Sequence, residues 1–241
     1  MRAEEPYIER GYRGIIEPAG LVCYHVVEGQ SDLLVCTEGN LRKNAAASLA
    51  SCRSDLEGYL RSHPEFGTSF SPLPVSSAAP DIVKEMAVAS EIFNVGPMAS
   101  VAGAVARYVG LDLLKHSRQV IVENGGDLFL AGGKRRKVRI FAGERSQSVD
   151  IIVEDRPEGL GLCTSSSTVG PSVSLGEADA VTVLAETATI ADAAATALGN
   201  RVGSPEEISD ALELAKKYDE VLGAVIVVGG SVGAWGKIEI A

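Results

Sequence analysis

The chain has 241 residues, 46% of them hydrophobic, and carries 22 Lys+Arg against 32 Asp+Glu for a formal net charge of −10. That is enough apolar material for one large globular domain or two closely packed halves. The negative balance works against binding nucleic acid or an anionic membrane through the overall field, so an anionic ligand has to be held by backbone donors, a cation or a small basic cluster.

Four cysteines, Cys23, Cys36, Cys52 and Cys163, form no CxxC pair. This removes zinc-ribbon and thioredoxin-type motifs and leaves reduced, mostly buried thiols as the expectation. The opening Met1-Arg2-Ala3-Glu4-Glu5-Pro6 has no apolar signal region, and no uninterrupted apolar run has the length of a membrane span, so a soluble, cytoplasmic chain is expected.

In chain order, 21–27 and 32–37 are β-rich runs around the turn Glu28-Gly29-Gln30-Ser31, which predicts an antiparallel hairpin. Leu41, Ala45, Leu49, Cys52, Leu56 and Leu60 recur at helical spacing, giving a long amphipathic helix to about His63 that Pro64 ends. Pro80-Asp81 opens a second helix towards Phe93. After Asn94-Val95-Gly96-Pro97, a third, rich in small residues, runs from Met98 to about His116. The small first turns of that helix suit tight packing, or a ligand at free N–H groups.

Strands are predicted at 119–123, 128–131, 137–142 and 149–153, and the 159–176 section shows no periodicity. A strand at 180–185 leads into the helix of Asp192. Helix 205–218 and β-rich runs at 223–228 and 235–240 close the chain. Hairpins outnumber crossovers, so the fold class is α+β on antiparallel sheets, a single unit over 1–241 whose two halves meet near 94–118 with a cleft between them.

The chemistry-bearing residues are few. Asp192 and Thr196 share a helical face four residues apart among alanines, as a hard cation holding phosphates would need. The same residues also fit a plainer reading: Thr189-Ile190-Ala191-Asp192 matches a capping box, and Thr196 can bond back to the carbonyl of residue 192. Asn124-Gly125-Gly126-Asp127 is a hairpin turn whose glycines would also let a flat ligand or phosphate lie against the backbone. Thr164-Ser165-Ser166-Ser167-Thr168 is a hydroxyl run, either solvated or facing a cleft. His25, His63 and His116 are too scattered for a local ligand pair, and Lys134-Arg135-Arg136-Lys137 reads as a solvated hairpin tip. Neither a Walker motif nor a GxGxxG before a helix is present.

Taken together and in order, Gly96-Pro97-Met98-Ala99-Ser100-Val101-Ala102-Gly103, Glu123-Asn124-Gly125-Gly126-Asp127, Cys163-Thr164-Ser165 and the run from Thr189 to Gly199 resemble the ApbE family of flavin transferases. The resemblance implies a T-fold of two antiparallel-sheet halves with packed helices and an intervening cleft. It implies FAD or a related nucleotide as ligand, with Mg²⁺ held by Asp192 and Thr196, and Gly96, Pro97, Met98, Asn124, Gly125, Gly126, Asp127, Thr164 and Ser165 around the cofactor. The implied chemistry is cleavage of the FAD pyrophosphate, either as FMN transfer to an acceptor protein or as hydrolysis to FMN and AMP.

Two segments depart from the family pattern. Ser100-Val101 stands where the transferases carry lysine then glycine, and no His-Ile-Ile-Asp-Pro-like motif occurs between Gly170 and Val183. A catalytically silent binding or carrier protein in a metabolic complex, such as one serving sulfur incorporation into homocysteine, is therefore the alternative. The expected partners are a flavin or other nucleotide and an acceptor or partner protein, with homodimerisation left open and neither nucleic acid nor membrane expected.

Overall fold

The computed structural model describes residues 18, 20–143, 147–166 and 177–241. Strand β1 (Val22–Glu28) turns at Gly29 into β2 (Ser31–Thr37), with Cys23 opposite Cys36. The two sulfurs are bonded, which corrects the expectation of four thiols. Cys52 and Cys163 are free and buried as expected. Adjacent strands put the paired Cβ atoms within reach of each other, a long-range relation that cysteine spacing alone does not reveal.

Helices α1 (Arg42–Ser62), α2 (Asp81–Phe93) and α3 (Val101–Leu114) follow, with a 3-10 turn at Pro97–Ser100 introducing α3. Then come β3 (Val120–Asn124), β4 (Asp127–Ala131), β5 (Arg135–Ile140), β6 (Val149–Glu154), β7 (Leu160–Ser165) and β8 (Ala180–Ala185). Helices α4 (Ala188–Gly199) and α5 (Ile208–Ala215) and strands β9 (Val221–Val228), β10 (Ser231–Gly236) and β11 (Glu239–Ile240) complete the described chain. Strand β7 falls in the section where no periodicity is legible, because Leu160, Gly161, Leu162 and Cys163 are all buried and the strand has no polar side to alternate with. The β-rich run at 235–240 is two pieces, the end of β10 and the short β11, broken at Gly236 with φ of 89°.

Eight strands form one antiparallel sheet in the order β1-β2-β3-β4-β7-β8-β9-β10, and β11-β6-β5 form a small second sheet. The sheet is continuous across its middle, where β4 pairs with β7. Alternation along each strand divides the interior in two. Val122, Phe129, Val183 and Ile226 pack under the helices, while Ile121, Leu128, Leu130 and Leu184 pack against Val138, Ile140 and Ile151 of the small sheet. In Lys134–Lys137, Lys134, Arg135 and Lys137 are exposed as expected, and Arg136 is the exception. Most of this segment lies in β5, where Arg136 points inward and is buried against Asp155. Among the described residues no single helix is long and apolar enough to cross a membrane.

Glycines let α4 sit close to its neighbours. A Cβ on Gly103 of α3 would stand 2.2 Å from the Ala188 carbonyl oxygen, and one on Gly161 of β7 would stand 2.2 Å from the Ala188 Cα. Glu85 ties the same helices together, because its Oε1 accepts from Arg107 Nε at 2.8 Å and from Thr189 Oγ1 at 2.6 Å.

Candidate functional site

The β3–β4 turn is closed by Gly125 and Gly126, with φ of 68° and 105°, values that glycine adopts without a side-chain clash. The turn sets Asp127 at the first position of β4, on the same side of the strand as Phe129 and hence under the helices. Asp127 is buried, and its Oδ1 accepts from the Thr164 backbone N–H at 3.1 Å.

Asp192 approaches from α4. Its helix is capped by Thr187, whose hydroxyl accepts from the Ile190 N–H at 3.2 Å, so the capping-box reading of Thr189 to Asp192 does not hold. Asp192 instead reaches across to α3, where its Oδ2 accepts from the Gly103 N–H at 2.8 Å. Helix α3 has no side-chain cap of its own at Ser100, so Asp192 satisfies first-turn donors there from another helix. Thr196 does not bond back to residue 192; its hydroxyl points to the Ala99 carbonyl at 3.5 Å.

Both carboxylates are shifted upward. Burial raises the Asp192 pKa to about 7, against the Gly103 and Ala102 N–H bonds that act to lower it. Burial first, and the Asp192 charge second, hold Asp127 well above the usual carboxylate range. Cys163, also buried, hydrogen-bonds to Asp127, and burial and that carboxylate keep its thiol well above its ordinary value. Its Sγ also lies 3.3 Å from the Ala188 carbonyl. Buried like charges of this kind are costly unless a cation or proton compensates them.

Both carboxylates line a cavity of about 450 Å³, within the size range of small-molecule sites. Met98, Asn124, Gly125, Thr164, Ser165 and Thr196 share its wall. Asn124 is fixed by its Nδ2 donating to the Ala102 carbonyl at 3.1 Å, and the Thr164 hydroxyl is engaged with that of Thr182 at 2.9 Å. Gly96, Pro97 and Gly126 lie outside the wall. Gly96 lets the Ser69 carbonyl pack against its Cα, Pro97 is buried at the 3-10 turn, and the Gly126 N–H donates to Glu123 Oε1 at 2.9 Å. Ser167 and Thr168 of the hydroxyl run are outside the described residues, and Ser166 donates to the Asp179 carbonyl at 2.6 Å.

The cavity also has a wall that the motifs did not indicate, made of Gln30 and Ser31 from the β1–β2 turn and Arg53, Leu56, Glu57 and Leu60 from α1. The spacing 53, 56, 57, 60 is one helical face, and that was readable; which face looks into a cavity was not.

The donor set suits a hard cation. Two carboxylates and a hydroxyl share one cavity, and among the described residues no cluster of three or more His, Cys, Asp or Glu is placed to hold a metal. A cation there would keep positions for ligand oxygens and water, as Mg²⁺ does. A second cavity of about 570 Å³, beside the small sheet, offers nothing comparable. Most of its charges are already engaged, Asp155 with Arg136, Arg135 with Glu239 and Arg156 with Glu186.

Comparison with known proteins agrees with this geometry at the level of fold and family. Residues 15–238 match the family model described as AbpE bacteria. A UPF0280 protein of Methanococcus aeolicus is 44% identical over 206 residues, covering 83% of this chain and 82% of its own length. A UPF0280 protein of Methanocaldococcus jannaschii is 42% identical over 220 residues, covering 88% and 89%. Among solved structures, a flavin transferase ApbE from Vibrio cholerae superposes with a TM-score of 0.58 at 14% identity over 92% of this chain and 97% of that one. The apo flavinyl transferase ApbE of Pseudomonas stutzeri gives 0.55 at 15%, over 92% and 95%. The antiparallel α+β fold is that of the ApbE flavin transferases, and the chain belongs to the ApbE-like family, in a branch it shares with the UPF0280 proteins.

Proposed function

We propose that the chain binds FAD or a related nucleotide together with a divalent cation in the 450 Å³ cavity and cleaves the ligand's pyrophosphate, passing FMN to water or to a protein hydroxyl with release of AMP. The observation that carries this reading is the pair of a buried Asp127 and a half-buried Asp192, two carboxylates lining one cavity and held above their ordinary pKa chiefly by desolvation. Such a pair stores an electrostatic cost that a bound cation removes. Asp192 and Thr196 would hold the cation from successive turns of α4, with Asp127 opposite. What the cation supplies is neutralisation of pyrophosphate charge. The turn at Gly125 leaves open space for a flat ring, since nothing stands within 4 Å of where its Cβ would be.

Titrating the protein with FAD, with and without Mg²⁺, by flavin fluorescence tests the reading. Binding is expected to depend on Mg²⁺ and to be lost in Asp192→Ala, with Asp192→Asn as the companion variant that keeps an acceptor for α3. Binding that is indifferent to Mg²⁺ and to both variants would sink it.

A second reading, a silent binding or carrier protein, is favoured by Ser100. It stands in the segment where the transferases carry lysine, and its buried hydroxyl is spent on the Pro97 carbonyl at 3.0 Å rather than turned to the cavity. Release of AMP from FAD separates the two readings, since only the enzyme produces it.

A further inference from the structure

Arg53 is the only basic side chain among the described residues lining the cavity, whose wall also carries the carboxylates Glu57, Asp127 and Asp192. Its side chain is only 18% exposed, unlike an ordinary surface arginine. The guanidinium is fixed from two elements: Nη1 donates to Ser31 Oγ at 2.9 Å and Nη2 to Glu57 Oε1 at 2.5 Å. The β1–β2 turn is shaped around it. A Cβ on Gly29 would come within 2.5 Å of Nη2, and Gly29 has a φ of 56°, so glycine serves both the turn and the room for the guanidinium.

Strand register brings this group to the active end of the sheet. Leu33 pairs with Asn124, so Ser31, two residues earlier at the start of β2, lies beyond the end of β3 beside the Gly125–Gly126 turn. A guanidinium has five N–H donors, and a pre-fixed one loses little freedom on meeting a phosphate. In a chain of net charge −10, a phosphate cannot rely on the general field and needs such a local cation.

We propose that Arg53, oriented by Ser31 and Gly29, is a phosphate-binding residue of this cavity, so that the site selects phosphorylated ligands over their neutral counterparts. The inference rests on the nucleotide reading above. Glu57 then acts as an internal competitor, occupying the guanidinium until a phosphate draws it away. The plainer role, a tie between α1 and the β1–β2 turn, would give Arg53 no preference between charged and neutral ligands.

The experiment measures affinity for FAD, FMN and riboflavin in the presence of Mg²⁺, with the wild-type chain, Arg53→Gln, Arg53→Lys and Glu57→Gln, each checked by its thermal midpoint. Arg53→Gln is expected to weaken FMN and FAD about tenfold or more while leaving riboflavin unchanged, Arg53→Lys to recover part of the loss, and Glu57→Gln to tighten FMN. Equal loss for FMN and riboflavin, or none for either, overturns the inference and leaves the nucleotide reading standing. A wild-type chain that binds none of the three overturns the nucleotide reading and this inference with it.

Discussion

The two faces of the main sheet each bury charge, and they do so in opposite ways. Under the small sheet, Arg136 and Asp155 form a pair whose side chains are 1% and 0% exposed, with Asp155 accepting from Arg136 Nε at 2.7 Å and from the Lys134 N–H at 2.6 Å. Under the helices, Asp127 and Asp192 are both acids, served by backbone N–H groups and a thiol, while the basic side chain of their cavity, Arg53, is bonded to Ser31 and Glu57 instead. A compensated pair is a fixed part of the architecture. An uncompensated one is a standing demand for a proton, a cation or both, and that contrast separates the structural charge cluster from the candidate functional one more clearly than burial does.

The contrast can be broken at its strongest point first. Asp155→Ala strands a buried guanidinium and is expected to cost about 3–5 kcal/mol in chemical denaturation. A loss under 1 kcal/mol would show that the pair was never isolated from water. Gly103→Ala comes next. Its Cβ would collide with the Ala188 carbonyl and with Asp192 Cβ, so α3 and α4 have to separate, at about 1–3 kcal/mol, and cation binding has to weaken along with stability.

Asp192→Asn carries the smallest effect and the opposite sign. An amide still accepts from the Gly103 N–H but relieves Asp127 of a like charge, so the metal-free variant should melt about 3 °C higher than the wild type. A lowered midpoint would mean that the carboxylate serves α3 as a cap and little else.

The same comparison has a pH signature. With its pKa raised from 3.8 to about 7, Asp192 keeps its proton in the folded chain over a range where the unfolded chain has already released it. Metal-free stability should therefore fall as pH rises from about 4 to about 7, and Asp192→Asn should flatten that fall. Denaturation midpoints across this range measure it directly.

Much of the fold is legible in the sequence because the information there is local. The β1–β2 and β3–β4 hairpins, α1 and α2 follow from periodicity and from the turn residues at 29 and 125–126. Strand β7 is not legible, since a strand buried on both sides has no alternation to read. The Asp192 and Thr196 pair is visible as a helical face, but its alternative as a cap is settled only by Thr187, two residues before Thr189, taking the N-terminal donor. Arg53 is hidden for a different reason. Nothing in α1 distinguishes it from a solvated arginine until β2 and β3 pair in register and carry Ser31 to the Gly125 turn.

The middle of the main sheet carries a consequence for motion. Strands β4 and β7 are held together over Leu128–Leu162, Phe129–Gly161 and Leu130–Leu160, and Phe129 also packs in the space left by Gly110 and Gly159. A cleft between separate bodies opens by swinging them apart, but a sheet laced across its middle resists such a swing, because opening would break ladder hydrogen bonds and bare a buried aromatic ring. Any widening of the cavity is therefore left to side chains of its wall, such as Leu60 of α1 and Met98 of the 3-10 turn before α3, rather than to movement of the sheet.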